Sequence, residues 1–242
     1  MTPIQLPSGL AIDIASAGAG ADASAFGQRT LAEAAHFAVL CRVAPMLRHD
    51  MAGALQPLGM VAMVLQRRIQ AAEPDLHSIS KNVASIGSLT KEAAAGCMNA
   101  IGWLAPREDP AVSWRSGVEN VLQVLAIELS GCRLEPANCI PEGAATAPES
   151  YFRTVFAGAL LAFCDQCTVA GQLQIVIDES QNNAGGQGRP RLCLSVSSSG
   201  EPKPQTVRPR PILWQDVQAL AACWGAEVVR GDGWMSVGLP RP

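Results

Sequence analysis

The sequence predicts two units in series: an α-helical hairpin that pairs with a second copy as a dimeric four-helix bundle, then an α+β sandwich domain. Three observations predict this. Apolar residues recur at alternating steps of three and four, first through residues 47–65 and again through 76–100. Glu73-Pro74-Asp75 breaks the chain between those two runs. Beyond Pro106-Arg107-Glu108-Asp109-Pro110 the pattern changes to helical segments interleaved with short alternating strands. The expected boundaries are a flexible tail over 1–27, the hairpin over 28–105, a linker over 106–112 and the second domain over 113–242.

The tail reading rests on the seven alanines and four glycines of residues 1–27. The first helix runs from Arg29 to about Ala72, with Leu47, Met51, Ala54, Leu58, Val61 and Leu65 as its inward seam. Pro45, Gly53 and Pro57 weaken it, so a kink is expected near residue 49. The second helix presents Leu76, Ile79, Val83, Ile86, Thr90, Ala93, Cys97 and Ala100. So short a turn makes the two helices antiparallel neighbours. Two helices enclose no core, and a second copy completes one by two-fold symmetry.

In the second domain the pattern gives a helix from Ser113 to Leu129, a strand over Cys132–Pro136, and a helix from Tyr151 to about Cys167 capped by Ser150. Strands follow at Gln172–Asp178 and Arg191–Ser197, joined by a Gly- and Asn-rich loop over 181–190. A segment with four prolines over 201–211 leads to a helix from Leu213 to Trp224. Two last strands, Glu227–Arg230 and Trp234–Leu239, flank Gly231-Asp232-Gly233. The sheet is expected to be mostly antiparallel.

Composition narrows the function classes. The 242 residues are 48% apolar and 16% charged with a net charge of −3, so no basic excess exists to bind nucleic acid through phosphates. No uninterrupted apolar run reads as a membrane span, and no basic region precedes an apolar stretch at the N-terminus. The expected location is cytoplasmic. Eight cysteines show no regular framework. Cys164-Asp-Gln-Cys167 reads as two small residues on a buried helix rather than as a redox or zinc pair.

Of the three histidines, His49 has the suggestive setting. It lies two residues before Met51, about 200° round the helix from that inward position. In heptad terms it is an f position, which faces water. Imidazole is a competent nucleophile near neutral pH. The adjacent Asp50 is placed to accept from one ring nitrogen and leave the other directed outward. His36 and His77 read as ordinary histidines.

Leu47-Arg48-His49-Asp50-Met51-Ala52-Gly53-Ala54-Leu55-Gln56-Pro57-Leu58 resembles the H-box of bacterial two-component histidine kinases. The order of elements after residue 113 resembles the ATP-binding domain of the same enzymes. The resemblance implies that helix 152–167 is the first helix of the nucleotide site, that Arg191–Gly200 is the adenine-contacting strand and turn, and that Leu213–Gly225 with the hairpin ending at Pro240 is the closing helix and last strands. It also implies an asparagine pair, an adenine-binding aspartate and a mobile lid. This sequence has Gly158 and Ala162 at the asparagine positions and Ser198 at the aspartate position. Only twelve residues, four of them proline, separate Gly200 from Leu213, too few for the lid. Gly53 stands where the family uses a side chain to orient water, so phosphatase activity is not expected.

The expected protein is therefore similar to the dimeric histidine phosphotransferases of phosphorelays. It would have no cofactor or metal of its own, and response-regulator receiver domains would be its partners. His49 would accept the phosphoryl group and Asp50 would orient it. Arg48, Gly53, Gln56, Met60 and Met63 would form the docking face. The alternative use of the two methionines is packing against the second domain. The competing functional readings are a non-catalytic dimeric adaptor and an active kinase with an unusual nucleotide pocket.

Overall fold

The computed structural model describes residues 19–104, 108–143, 145–178, 190–202 and 210–240. Helix α1 runs unbroken over Ala19–Ile69, through both Pro45 and Pro57. Its first residues take in part of the segment expected as a tail; residues 1–18 lie outside the described chain. Alanine-rich composition favours so long a helix. Helix α2 (Leu76–Leu104) returns antiparallel beside it. Asp75 caps α2, its Oδ1 accepting from the backbone N–H of His77 at 3.0 Å and of Ser78 at 3.3 Å.

The α1 seam is as expected: Leu47 is buried, and Met51, Ala54, Leu58, Val61 and Leu65 are half-buried against α2. The α2 seam keeps Ile79, Ile86, Ala93, Cys97 and Ala100 of the expected set and shifts toward Asn82 and Leu89. Ile79, Asn82, Ile86, Leu89, Ala93 and Ala100 turn inward, whereas Leu76, Val83 and Thr90 are exposed. The physical reason is that the apolar stripe on α2 is wider than one seam, and a single α1 neighbour covers only part of it.

Of the expected linker, residues 108–110 carry no regular secondary structure. Its last residues begin β1 (Ala111–Ser113), which pairs antiparallel with β3 (Thr146–Pro148). Asp109 accepts from both the backbone N–H (2.8 Å) and the hydroxyl of Ser150. So the carboxylate from before β1 serves that helix start, where the sequence suggested Ser150 itself. The helix expected from Ser113 to Leu129 is broken at Leu125 into α3 (Trp114–Val124) and α4 (Ala126–Gly131). The next strand, β2, is Leu134–Asn138.

Three segments form one continuous helical rod: α5 (Glu149–Tyr151), a π-helical turn over Phe152–Phe156, and α6 (Ala157–Gln166). The remaining elements are β4 (Val169–Asp178), β5 (Arg191–Pro202), α7 (Trp214–Cys223), β6 (Val228–Gly231) and β7 (Trp234–Gly238). The five-stranded sheet has the order β2-β4-β5-β7-β6 and is mixed, because β2 pairs parallel with β4. The loops expected at 181–190 and 201–211 fall mostly outside the described residues.

One face of the sheet is buried. Register places Ile175 beside Leu194 and Leu194 beside Met235, with Ile177, Leu192 and Val237 forming the next row. Gln172 and Gln174 alternate onto the exposed face. Against the buried face lie α3, α6 and α7. The N-terminal half of α1 adds a further layer: Ala32, Ala35, Ala38, Val39, Val43, Met46 and Leu47 are buried, with α1 packed on α6 and α7. Within Phe26–Ile69, one 18-residue stretch reaches a mean hydropathy of 1.2, long and apolar enough by composition to cross a bilayer. The sequence reading had admitted no such stretch. Part of that apolarity is explained by the face α1 presents to α6 and α7.

Candidate functional site

His49 stands on α1 just past the last residue buried under the α/β domain, Leu47. Its side chain is 71% exposed and that of Asp50 is 53% exposed. Nδ1 faces Asp50 Oδ1 at 3.4 Å, at the long end of hydrogen bonding. The tautomer with its proton on Nδ1 donates to that carboxylate and leaves the Nε2 lone pair free to face solvent. Arg48, Gly53, Gln56, Met60 and Met63 are all exposed. At about 100° per residue, Gln56, Met60 and Met63 fall within about 40° of His49 round the helix. Met60 is 53% and Met63 59% exposed, so neither packs on the second domain. A Cβ on Gly53 would meet nothing within 4 Å, leaving the approach one turn from His49 clear.

The second expected site is occupied by the protein itself. Residues 157–164 of α6 are buried on every side. A Cβ on Gly158 would lie 2.7 Å from Leu220 Cδ1 on α7 and 3.4 Å from Val39 Cγ2 on α1. Any side chain there requires the end of Leu220 to move, and a branched asparagine crowds α7 further. Ala162 is buried as well. Asp165, the sole carboxylate of helix 152–167, is engaged: Arg42 Nη1 donates to its Oδ2 at 2.9 Å and Nη2 to its Oδ1 at 3.2 Å. The backbone N–H of Ile212 donates to the same Oδ2 at 2.9 Å. Ser198 uses its hydroxyl to accept from the Gly200 N–H at 3.0 Å, closing a turn. These residues do not fit Mg-ATP: Asp165 is engaged by Arg42 and Ile212, and α6 is packed against both α7 and α1. Among the described residues, no group of three His, Cys, Asp or Glu side chains is placed to hold a metal ion.

Sequence reasoning missed the anchors that hold these parts together. Arg42 reaches Glu128 of α4 through Nε at 3.0 Å and also through Nη2. Arg153 does the same for α2. It donates to the Gly102 carbonyl and to Glu149 at 2.6 Å, with its guanidinium 5.9 Å from the Trp103 ring centre. A signal was available: Arg42 is the only charged residue between Glu33 and Arg48, set in an apolar stripe at helical spacing. Cys164 is buried, and Cys167 donates to the Val169 carbonyl at 3.2 Å, in keeping with the packing reading of that pair.

No protein-family profile and no curated protein matches the chain. Solved structures similar to it include the Acinetobacter baumannii histidine kinase AdeS, at 13% identity and a TM-score of 0.39, covering 76% of this chain and 96% of that one. A mycobacterial sensor histidine kinase, MprB, overlaps at 12% identity and a TM-score of 0.38, covering 56% of this chain and 99% of that one. A complex of histidine kinase ThkA with response regulator TrrA overlaps at 10% identity and a TM-score of 0.38, covering 85% of this chain and 63% of that one.

Proposed function

We propose that the chain is a histidine phosphotransfer protein that carries a phosphoryl group on His49 between response-regulator receiver domains, without ATP chemistry of its own. The observation that carries this reading is the imidazole itself, with Nδ1 turned to Asp50 and Nε2 open to solvent. In the transfer, the Nε2 lone pair attacks the phosphorus of an aspartyl phosphate. An N–P bond forms as the acyl P–O bond breaks, and the bonding pair leaves with the partner's carboxylate. Asp50 supports the positive charge that develops on the ring. The packing of α6 against both α7 and α1 favours this reading over the active kinase. Exposed methionines beside His49 suit an adaptable protein surface.

The functional unit in this reading is a dimer. Leu55, Ala62 and Ile69 form an exposed seven-residue repeat on α1, and Leu76, Val83 and Thr90 form another on α2. Each stripe is offset in the same rotational sense from its helix's contact seam. Because the helices are antiparallel, both stripes fall on one side of the hairpin. A second copy there would bury both.

The test is transfer from purified receiver domains phosphorylated with acetyl phosphate. The wild-type protein should take up label and His49→Gln should take up none. Equal docking with no transfer by either would favour the adaptor. Label taken directly from Mg-ATP would favour the kinase.

A further inference from the structure

Arg42 is the polar centre of an otherwise apolar interface. Its side chain is 12% exposed, and that of Asp165 6%. One guanidinium joins α1 to α4 through Glu128 and to α6 through Asp165, and Nη1 also lies 3.5 Å from the Arg210 carbonyl before α7. The surrounding contacts come mainly from Ala32, Ala35, Ala38, Val39 and Val43. Such small side chains supply area without direction, so they do not by themselves fix the register of α1. A buried ion pair adds little net stability, and its best-attested use is to set register. A bidentate arginine does that, since it satisfies both carboxylate oxygens in one geometry only.

That register bears on His49. It lies seven residues after Arg42, about 10 Å along the axis and only about 20° round it. The direction in which Arg42 reaches α4 is thus nearly the direction in which His49 faces. Through Glu128, α4 meets α1 at the level of Arg42, two turns before His49, and it carries Ile127 with 54% of its surface exposed. A docked domain of about 100 residues has a radius of gyration near 13 Å, so one centred on His49 overlaps the level of Arg42 and Glu128. A stable interface also needs about 800 Å² on each side, more than one face of a single helix offers.

We propose that Arg42 is a positioning residue for partner docking: it holds α4 against α1 two turns before His49, so that a receiver domain seats on α1 and α4 together, with Ile127 in its footprint. This rests on the phosphotransfer reading. The experiment is steady-state transfer from an acetyl-phosphate-labelled receiver to Arg42→Ala, Arg42→Lys and Ile127→Glu, with the same receiver's binding followed by calorimetry. Expected is a roughly tenfold rise in KM for Arg42→Ala and Ile127→Glu with kcat unchanged, and a smaller rise for Arg42→Lys, which keeps the charge without the fork. A purely structural role would lower the active fraction and so the apparent kcat, leaving KM alone. Unchanged KM and binding in Ile127→Glu overturn the proposal, even should Arg42→Ala fail to fold. Wild-type protein that binds the receiver yet accepts no phosphoryl group would remove the phosphotransfer reading, while the binding of Ile127→Glu would still decide this one.

Discussion

Val39 of α1 and Gly158 of α6 meet so closely that a β-carbon on Gly158 would stand 3.4 Å from Val39 Cγ2. This contact joins the helix that bears His49 to the helix where the family resemblance places its nucleotide ligands. It makes a prediction about both. Gly158→Asn, which would restore the expected ligand type, should destabilise the protein by about 1–3 kcal/mol through overpacking. Thermal denaturation reads that loss, and calorimetry with Mg-ATP should show no binding gained. Wild-type stability together with new ATP binding would contradict this packing.

The dimer reading separates two valines. Val61 is half-buried in the hairpin seam and Val83 is exposed on the adjacent stripe. Val83→Asp should give a folded monomer by light scattering, with helical content retained. Val61→Asp should cost several kcal/mol and lower the helical signal, because it places an unpaired charge between α1 and α2.

Acid should loosen the docked half of α1. His36 borders a cavity of about 200 Å³ with Arg29, Glu33, Leu220, Cys223 and Trp224, and burial lowers its pKa below the ordinary 6.5. Between that lowered value and 6.5 the unfolded chain binds more protons than the folded one, so stability rises with pH through that window. The stabilising contribution is complete above 6.5 and is lost as pH falls through the folded value. Melting temperatures measured from about pH 5 to pH 7.5 should show this slope, reduced in His36→Gln. An identical slope in both proteins would assign it to other groups.

The turn between α1 and α2 offers a local check. Asp75 Oδ1 accepts from two backbone N–H groups at the start of α2. Asp75→Ala should lower the stability, and Asp75→Asn or Asp75→Ser should restore most of it. Chemical denaturation measures both.

Much of this was legible in the residues. Periodic apolar spacing located both hairpin helices and put His49 on the water side, and alternation located the strands. In the α2 seam the pattern places Ile79, Ile86, Ala93 and Ala100 correctly, but it prefers Leu76, Val83 and Thr90 to Asn82 and Leu89 because they fit the helical spacing as well. Spacing alone does not choose between two stripes on a helix that is apolar over more than one face. The continuity of α3 and α4 was overcalled for a related reason: the break at Leu125 is set by packing, with no glycine or proline to mark it. The burial of α6 was readable, and the pair Cys164 and Cys167 reads as lying on a buried helix. Ala-Gly-Ala-Leu-Leu-Ala-Phe-Cys over 157–164 has no polar side, and such a helix is covered all round. What covers it depends on Arg42, Glu128 and Asp165, which lie up to 123 residues apart. Local pattern carries no record of such pairings.

Phosphorus NMR of the protein after incubation with a phosphorylated receiver, in the absence of ATP, would follow the imidazole itself. A phosphoramidate resonance should appear, map to Nε2 of His49, and vanish in His49→Gln. No such resonance with any receiver the protein binds, or the same resonance raised by Mg-ATP alone, would contradict a phosphoryl carrier that depends on its partners.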